Sequence, residues 1–248
     1  VMDSNSGEDT AIAPIQNIKR YNNDINLMYA FEISKFEAGE IEWTVTSSNE
    51  NVVQVVFVSD PWSYTEGEVE FETKDVELNV VGKGKAVVTF TAKDTLTNTT
   101  KTYKVTYNVT QMATGVELTV TGTKNHADEY ALIAGKTLAP KIKWIGGNPW
   151  SADEYSFNLE TEESIEDGIP VVDPVKGTVT TYADTKYDKV GNITAYATEP
   201  GSYVLTFVAA AEDADGNIVC DIVENLPIHV YTEMASAVNV DRTKVILD

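Results

Sequence analysis

Apolar and polar residues alternate along most of this chain of 248 residues. The alternation is clearest in residues 25–33, 86–92, 103–109, 116–120 and 203–209. Because successive side chains of a strand point to opposite faces, this period of two predicts β-strands with one buried face. Clusters of Gly, Pro, Asn and Asp separate the strands, and no segment carries an apolar stripe at helical spacing. We therefore predict an all-β protein built from antiparallel β-sandwiches.

Parts of the sequence repeat, which is a signature of tandem domains. Residues 111–118, QMATGVEL, are echoed by residues 233–240, EMASAVNV, and each stretch follows a strand that ends in Thr. Residues 78–90 align without a gap with residues 195–207. The repeats therefore predict one domain junction that occurs twice, and two tandem domains.

The repeats also set the domain boundaries. Residues 12–111 form the first predicted domain and residues 112–232 the second, and each is near the ~100 residues of an immunoglobulin-like sandwich. Residues 1–11 are predicted to be a polar, flexible leader that remains after removal of a targeting segment. Residues 233–248 are predicted to be the opening strand of an incomplete third module. The predicted fold is thus all-β, with tandem immunoglobulin-like antiparallel β-sandwiches.

The first domain carries motifs that resemble a known family. WTVTSSNENVVQV at residues 43–55 and VGKGKAVVTFTA at residues 81–92 resemble the bacterial immunoglobulin-like group 2 repeat, which has a Trp and Ser-Ser-Asn stretch followed by Val-rich and Gly-X-Ala strands. The second domain resembles it through residues 115–118 and 132–138, but Trp144 is followed by Ile-Gly-Gly. The resemblance implies a spacer or adhesion module on an exported bacterial surface protein, with proteins or cell-surface glycans as partners. It brings no catalytic residues.

Charge and cysteine content exclude several classes of function. Lys and Arg total 18 against 39 Asp and Glu, which gives a formal net charge of −21. Such a surface repels phosphate backbones and anionic lipid, so no nucleic-acid partner is predicted. Cys220 is the single cysteine, which leaves no intrachain disulfide and no cysteine-based zinc site. No apolar run is long enough for a transmembrane segment, and we expect an extracellular or cell-surface location.

The four tryptophans fall into two classes. Trp43 and Trp144 lie in apolar alternation and are predicted to anchor the two cores. Trp62 and Trp150 each stand between Pro and Ser, in DPWSYTEG and NPWSADEY. Such rings either stack on the apolar face of a sugar, with tyrosines nearby for hydrogen bonds, or fold over the end of a sandwich or into the domain junction. The candidate ligand-binding residues are Trp62, Tyr64, Trp150 and Tyr155.

One acidic loop has the composition of a cation site. Asp213, Asp215 and Asn217 place oxygen ligands on alternate residues, and Gly216 supplies the bend that a calcium loop needs. The bidentate Glu of an EF-hand is absent, however, and the flanking residues read as strands. A tight β-hairpin turn explains the same residues and is the favoured interpretation. Calcium is the alternative, and no other cofactor is predicted.

No catalytic residue is predicted. His126 lies in a polar loop and His229 in a strand, and neither is near a Gly-X-Ser-X-Gly elbow. The sequence therefore favours a non-enzymatic surface or adhesion protein. The alternative is a carbohydrate-binding module of a secreted glycan-utilisation system, and a third hypothesis is a hydrolase whose site the sequence does not reveal.

Overall fold

A computed structural model describes residues 1–3, 10–34, 40–120, 122–134, 136–138, 140–161, 165–166, 169–170, 177–182, 192–197, 200–213 and 216–232. Within these ranges the regular elements are strands, β1 to β21 in chain order, and helices are absent. This part of the chain accordingly contains no long apolar helix of the kind that crosses a bilayer. The chain divides into two compact units, Val1–Met112 and Ala113–Asp248.

The first unit has two sheets. Its strands are β1 (Met2–Asp3), β2 (Thr10–Ala11), β3 (Ile15–Arg20), β4 (Ile25–Ser34), β5 (Ile41–Ser47), β6 (Val53–Val58), β7 (Trp62–Glu66), β8 (Val69–Val80), β9 (Gly84–Asp94) and β10 (Thr100–Gln111). One sheet has the order β2-β1-β4-β8-β6, with β7 also paired to β8, and the other has the order β3-β10-β9-β5. Neighbouring strands run antiparallel except β3, which runs parallel to β10.

The core of the first unit lies between its two sheets. Leu78 and Phe31 from one sheet belong to the same buried cluster as Val88, Phe90 and Val105 from the other. The rings of Phe31 and Phe90 meet edge to face across the sandwich, with centroids 5.5 Å apart. Each buried side chain of this size contributes about 1.5–3 kcal/mol relative to an exposed one, so the alternating pattern itself holds the two sheets together.

The second unit contains β11 (Gly115–Thr119), β12 (Tyr130–Ile133), β13 (Thr137–Leu138), β14 (Lys141–Ile145), β15 (Tyr155–Thr161), β16 (Ile165–Glu166), β17 (Ile169–Pro170), β18 (Gly177–Tyr182), β19 (Asn192–Ala197), β20 (Gly201–Glu212) and β21 (Ile218–Tyr231). Its largest sheet has the order β12-β21-β20-β15, and smaller sheets are β13-β19-β18, β11-β14 and β16-β17. Leu132, Tyr203, Leu205, Phe207 and Ile228 of the largest sheet are buried.

The two units share a strand order. Each unit has a four-stranded sheet with a long hairpin at its centre, formed by β9 and β10 in the first unit and by β20 and β21 in the second. The second arm of the hairpin pairs in parallel with an early strand, β3 or β12. The first arm pairs with a later strand, β5 or β15. Phe90 and Phe207, which the gapless sequence alignment pairs, both lie on the first arm. The chain is therefore all-β with tandem immunoglobulin-like sandwiches, as the sequence predicts.

The structure corrects the predicted leader. Met2 pairs with Ala30 of β4 and with Ala11 of β2, and the Ile12 amide donates to the Val1 carbonyl at 3.0 Å. β1 lies between β2 and β4 in the sheet, and Val1 packs partly buried against the core cluster. The described residues before Ile12 thus belong to the first sandwich. The predicted third module, residues 233–248, lies outside the described residues.

Candidate ligand-binding site

The first Pro-Trp-Ser stretch forms part of a sheet edge. β6 and β7 pair with β8 one after the other and together form the edge of the sheet. Pro61, which lies between them, has no amide N–H and therefore interrupts the pairing with β8. Ser59 spans the interruption: its amide donates to the Asp75 carbonyl and its Oγ accepts from the Asp75 amide, both at 2.9 Å. Trp62 then opens β7 directly opposite Thr73. The loop is thereby fixed by the sheet, and the indole has a defined position.

Strand phase decides which way these side chains point. Val76 and Leu78 of β8 face the core and are fully buried, so Thr73 and Phe71, in the opposite phase, face outward. Directly opposed residues of an antiparallel pair share a face. Trp62, opposite Thr73, and Tyr64, opposite Phe71, therefore lie on the outer face of the sheet. Trp62 is 46% exposed and Tyr64 36% exposed.

Three aromatic rings form a row on this outer face. The centroids of Trp62 and Tyr64 are 5.7 Å apart with planes inclined by 31°, and those of Tyr64 and Phe71 are 5.2 Å apart with planes inclined by 14°. The Tyr64 hydroxyl donates to Glu32 Oε2 at 2.6 Å, and Thr73 Oγ1 donates to the same oxygen at 3.4 Å. This hydrogen bond to a carboxylate fixes the Tyr64 ring, so the row is preorganised.

The row borders a surface depression of about 450 Å³. Its lining residues are Met2, Ala30, Glu32, Trp62, Tyr64, Glu66, Thr73 and Asp75. The volume lies within the roughly 300–1,000 Å³ typical of small-molecule sites. The lining combines aromatic faces with carboxylates and includes no cationic side chain. The depression can therefore offer a flat apolar surface together with hydrogen-bond acceptors.

The second Pro-Trp-Ser stretch has a different position. Trp150 is only 2% exposed, and its Nε1 donates to the Ala113 carbonyl at 2.8 Å. The residues after it form a turn in which the Ser151 amide donates to Glu154 Oε2 at 2.8 Å and the Glu154 amide donates to the Ser151 carbonyl at 3.0 Å. An indole with a buried face and a paired N–H cannot stack on a ligand, so Trp150 acts as an anchor within the second unit.

Tyr155 also lies in a core position. It opens β15 opposite Ala209, as Trp43 on β5 lies opposite Ala92. Its ring centroid is 5.3 Å from that of Phe207 and 5.6 Å from that of Trp144. Tyr155 is thus the counterpart of Trp43 in the second unit. The four candidate ligand-binding residues therefore separate into an outward pair, Trp62 with Tyr64, and an inward pair, Trp150 with Tyr155.

The two predicted core tryptophans lie on different strands of their units. Trp43 of β5 packs edge to face on Phe31, with centroids 4.7 Å apart, and donates through Nε1 to Glu72 Oε1 at 2.9 Å. Trp144 lies on β14, opposite Val116 of β11. Both indoles contact buried aromatic rings, which fits their predicted role as anchors.

The acidic loop after β20 makes a tight turn. The Asn217 amide donates to Asp213 Oδ1 at 2.8 Å, and the Asp213 amide donates to the Asn217 carbonyl at 2.9 Å. Gly216 has φ of +81°, which favours glycine. These bonds join β20 to β21 as a hairpin, which is the favoured interpretation of this loop. The third predicted ligand, Asp215, lies outside the described residues. No cluster of three or more potential metal ligands of the His, Cys, Asp or Glu type occurs in the part of the chain that the structure describes, and calcium binding by this loop stays a prediction.

One polar cluster is not apparent from the sequence. His229 Nδ1 lies 3.0 Å from Ser202 Oγ and 3.3 Å from Glu129 Oε2. The hydrogen bond from Asn125 Nδ2, at 2.6 Å, lowers the pKa of the Glu129 carboxyl, and the Ser202 and His229 contacts add to this effect. A serine-histidine-acid relay needs the hydroxyl and the carboxylate on different ring nitrogens. Both contacts here involve Nδ1, so the cluster lacks the geometry of a hydrolase triad.

The chain was also compared with known proteins. No family model and no curated protein matches it. Among solved structures, the Streptococcus agalactiae AgI/II polypeptide BspA C-terminal domain is similar over 92% of this chain and 98% of its own, with 12% identity and a TM-score of 0.36. A chimeric titin Z1Z2 is similar over 89% of this chain and 95% of its own, with 12% identity and a TM-score of 0.27. Likenesses at this level carry no argument about what this chain binds.

Proposed function

We propose that this chain is an exported, non-catalytic bacterial surface protein whose immunoglobulin-like sandwiches act as adhesion modules, and that its first sandwich binds a glycan. The observation that carries this proposal is the row formed by Trp62, Tyr64 and Phe71 beside a depression lined by carboxylates. The apolar face of a sugar ring stacks on an exposed indole, and the sugar hydroxyls donate to the carboxylates. A carbohydrate-binding module of a secreted glycan-utilisation system would use the same site.

The exposure of Trp62 needs a functional explanation because the fold does not require it. Trp150 has the same flanking residues and is 2% exposed, whereas Trp62 is 46% exposed. Large apolar side chains grouped on a surface mark binding sites in soluble proteins. Trp62 belongs to such a group, since the Tyr64 and Phe71 rings continue its row. A row held in place by Glu32 is ready for a ligand without further ordering.

The surface location rests on composition and on the resemblance to group 2 repeats. A net charge of −21 keeps an exposed module soluble and discourages nucleic-acid binding. With Cys220 as the single cysteine, the two sandwiches are stabilised by packing and backbone pairing, and their folding does not depend on disulfide formation. These properties suit a module that is exported and displayed.

A glycan-binding screen with a matched pair of variants tests the proposal. We expect the intact chain to bind at least one microbial or host glycan, Trp62→Ala to lose that binding by about tenfold or more, and Phe57→Ala to keep it. Phe57 is a suitable control because it is 54% exposed on β6 and does not line the depression. Equal binding by Trp62→Ala and the unmodified chain would contradict the proposal, as would the absence of glycan binding in the screen.

A further inference from the structure

The geometry points to a more specific ligand for this site: a glycan that carries free, protonated amino groups, such as an unacetylated glucosamine oligomer. This inference rests on the proposed glycan-binding function and specifies its ligand class. Two features of the depression support it, the sign of its charge and the flat arrangement of its rings.

The charge of the lining favours a cationic ligand. Glu32, Glu66 and Asp75 contribute carboxylates, and the lining residues include no Lys, Arg or His. Carboxylates gathered in one site repel one another, and a bound cation relieves that repulsion. Hexuronic and sialic acids would add to the repulsion, so they are unsuitable ligands.

The aromatic side chains strengthen the same preference. An indole is the best aromatic partner for a cation, and Tyr64 presents a second ring 5.7 Å from Trp62. A protonated amine also has three N–H donors, which match the acceptor oxygens of nearby carboxylates. Glu32 accepts from Tyr64 and Thr73 through Oε2, which places its carboxylate beside the Tyr64 ring.

The ring arrangement favours a saccharide over an isolated ammonium group. Cages for quaternary ammonium groups surround the cation with rings on several sides. Here the planes of Tyr64 and Phe71 are inclined by only 14° and those of Trp62 and Tyr64 by 31°, so the rings form a shallow row. A row of this kind matches the extended face of an oligosaccharide, whose amino groups would then reach the carboxylates beside the rings.

The test compares oligomers of the same length that differ in charge, and two of them also share one backbone. Titration calorimetry of the intact chain would use a glucosamine oligomer, its N-acetylated counterpart and a galacturonic acid oligomer. We expect the glucosamine oligomer to bind about tenfold tighter than the acetylated one, and the galacturonic acid oligomer not to bind. Glu66→Gln should weaken glucosamine binding several-fold, whereas Glu50→Gln, which removes an exposed carboxylate outside the depression, should not.

Each result separates this inference from the proposed function. Equal or tighter binding of the acetylated oligomer would overturn the inference and leave the glycan-binding function standing. No binding of any oligomer or screened glycan would overturn both. Glucosamine binding that is equally strong in Trp62→Ala, or equally weakened by Glu50→Gln, would show diffuse attraction to a chain of charge −21 and would also overturn the inference.

Discussion

The tripeptide Pro-Trp-Ser occurs in both units, and its tryptophan is exposed in one and buried in the other. Trp62 opens an edge strand with its neighbours in register on an outer sheet face, and it is 46% exposed. Trp150 follows β14, donates its N–H to the Ala113 carbonyl and is 2% exposed. The local sequence therefore does not set the role of the ring. Strand phase and the partner of the indole N–H set it.

The two units place an aromatic ring in the same way at a second pair of positions. Trp43 and Tyr155 both stand opposite an alanine of the central hairpin, and both pack on core aromatic rings. The first unit thus uses a tryptophan in its core and displays another, whereas the second unit buries Trp150 and uses Tyr155 at the equivalent position.

The largest expected effect is on the second unit. Trp150→Ala removes a buried indole and leaves the Ala113 carbonyl without its donor, so we expect the free energy of unfolding of this unit to fall by about 3–5 kcal/mol. Chemical denaturation followed by circular dichroism measures the change, and hydrogen exchange of β11 and β14 locates it. A loss below about 1 kcal/mol would mean that Trp150 is not an anchor and would remove the contrast with Trp62.

The next effect concerns the first unit at alkaline pH. Burial raises the pKa of Tyr29 to about 12. A group whose pKa is higher in the folded protein stabilises the fold fully below its unfolded pKa and loses this stabilisation as the pH rises through the folded value. We therefore expect about 2–3 kcal/mol to be lost between roughly pH 10 and 12.

Tyr29→Phe supplies the control for this alkaline loss. The variant has no hydroxyl to ionise at this position, so its denaturation midpoint should fall less over the same pH range than that of the unmodified chain. Identical profiles for the two proteins would show that Tyr29 does not limit the alkaline stability of the first sandwich.

Period-two alternation predicts the all-β class, because residues 25–33, 86–92, 103–109 and 203–209 each lie within one strand, whereas the tandem arrangement is predicted from the internal repeats. Residues 86–92 and 203–209, for example, lie in β9 and β20, the central strands of their sheets. Side-chain roles that depend on long-range register were not predictable. Trp62 faces outward because it pairs with Thr73, and no local pattern fixes that register.

The polar cluster around His229 was not predictable from the sequence for a similar reason. Glu129 and His229 meet because β12 pairs in parallel with β21, and Ser202 joins them from β20. A parallel pairing of strands far apart in sequence leaves no short motif. The polar composition of residues 1–11 gives no signal for the pairing of Met2–Asp3 with β4, so the predicted flexible leader misses this strand.

A smaller effect is expected in the second unit under acid. Because the pKa of Glu129 is lowered in the folded protein, first by the Asn125 hydrogen bond, its stabilising contribution is present above the ordinary carboxyl pKa and is lost as the pH falls through the folded value. Glu129→Gln should therefore lower stability at neutral pH by about 1–2 kcal/mol and flatten the acid limb of the stability profile. If the free energy of unfolding of Glu129→Gln fell with decreasing pH as steeply as that of the unmodified chain, other carboxyl groups would be responsible for the acid sensitivity.

The smallest expected effect on stability is the one that matters most for function. Trp62 is exposed on an edge strand, so Trp62→Ala should change the free energy of unfolding by no more than about 0.5 kcal/mol. The same variant should remove the largest share of the acrylamide-quenchable fluorescence, because Trp150 is 2% exposed and the other two indoles pack on aromatic rings. A stability loss approaching that of Trp150→Ala would mean that Trp62 holds the fold, and its exposure would then no longer indicate a ligand. A stable variant with reduced quenching instead leaves ligand binding as the remaining reason for placing an indole at this edge.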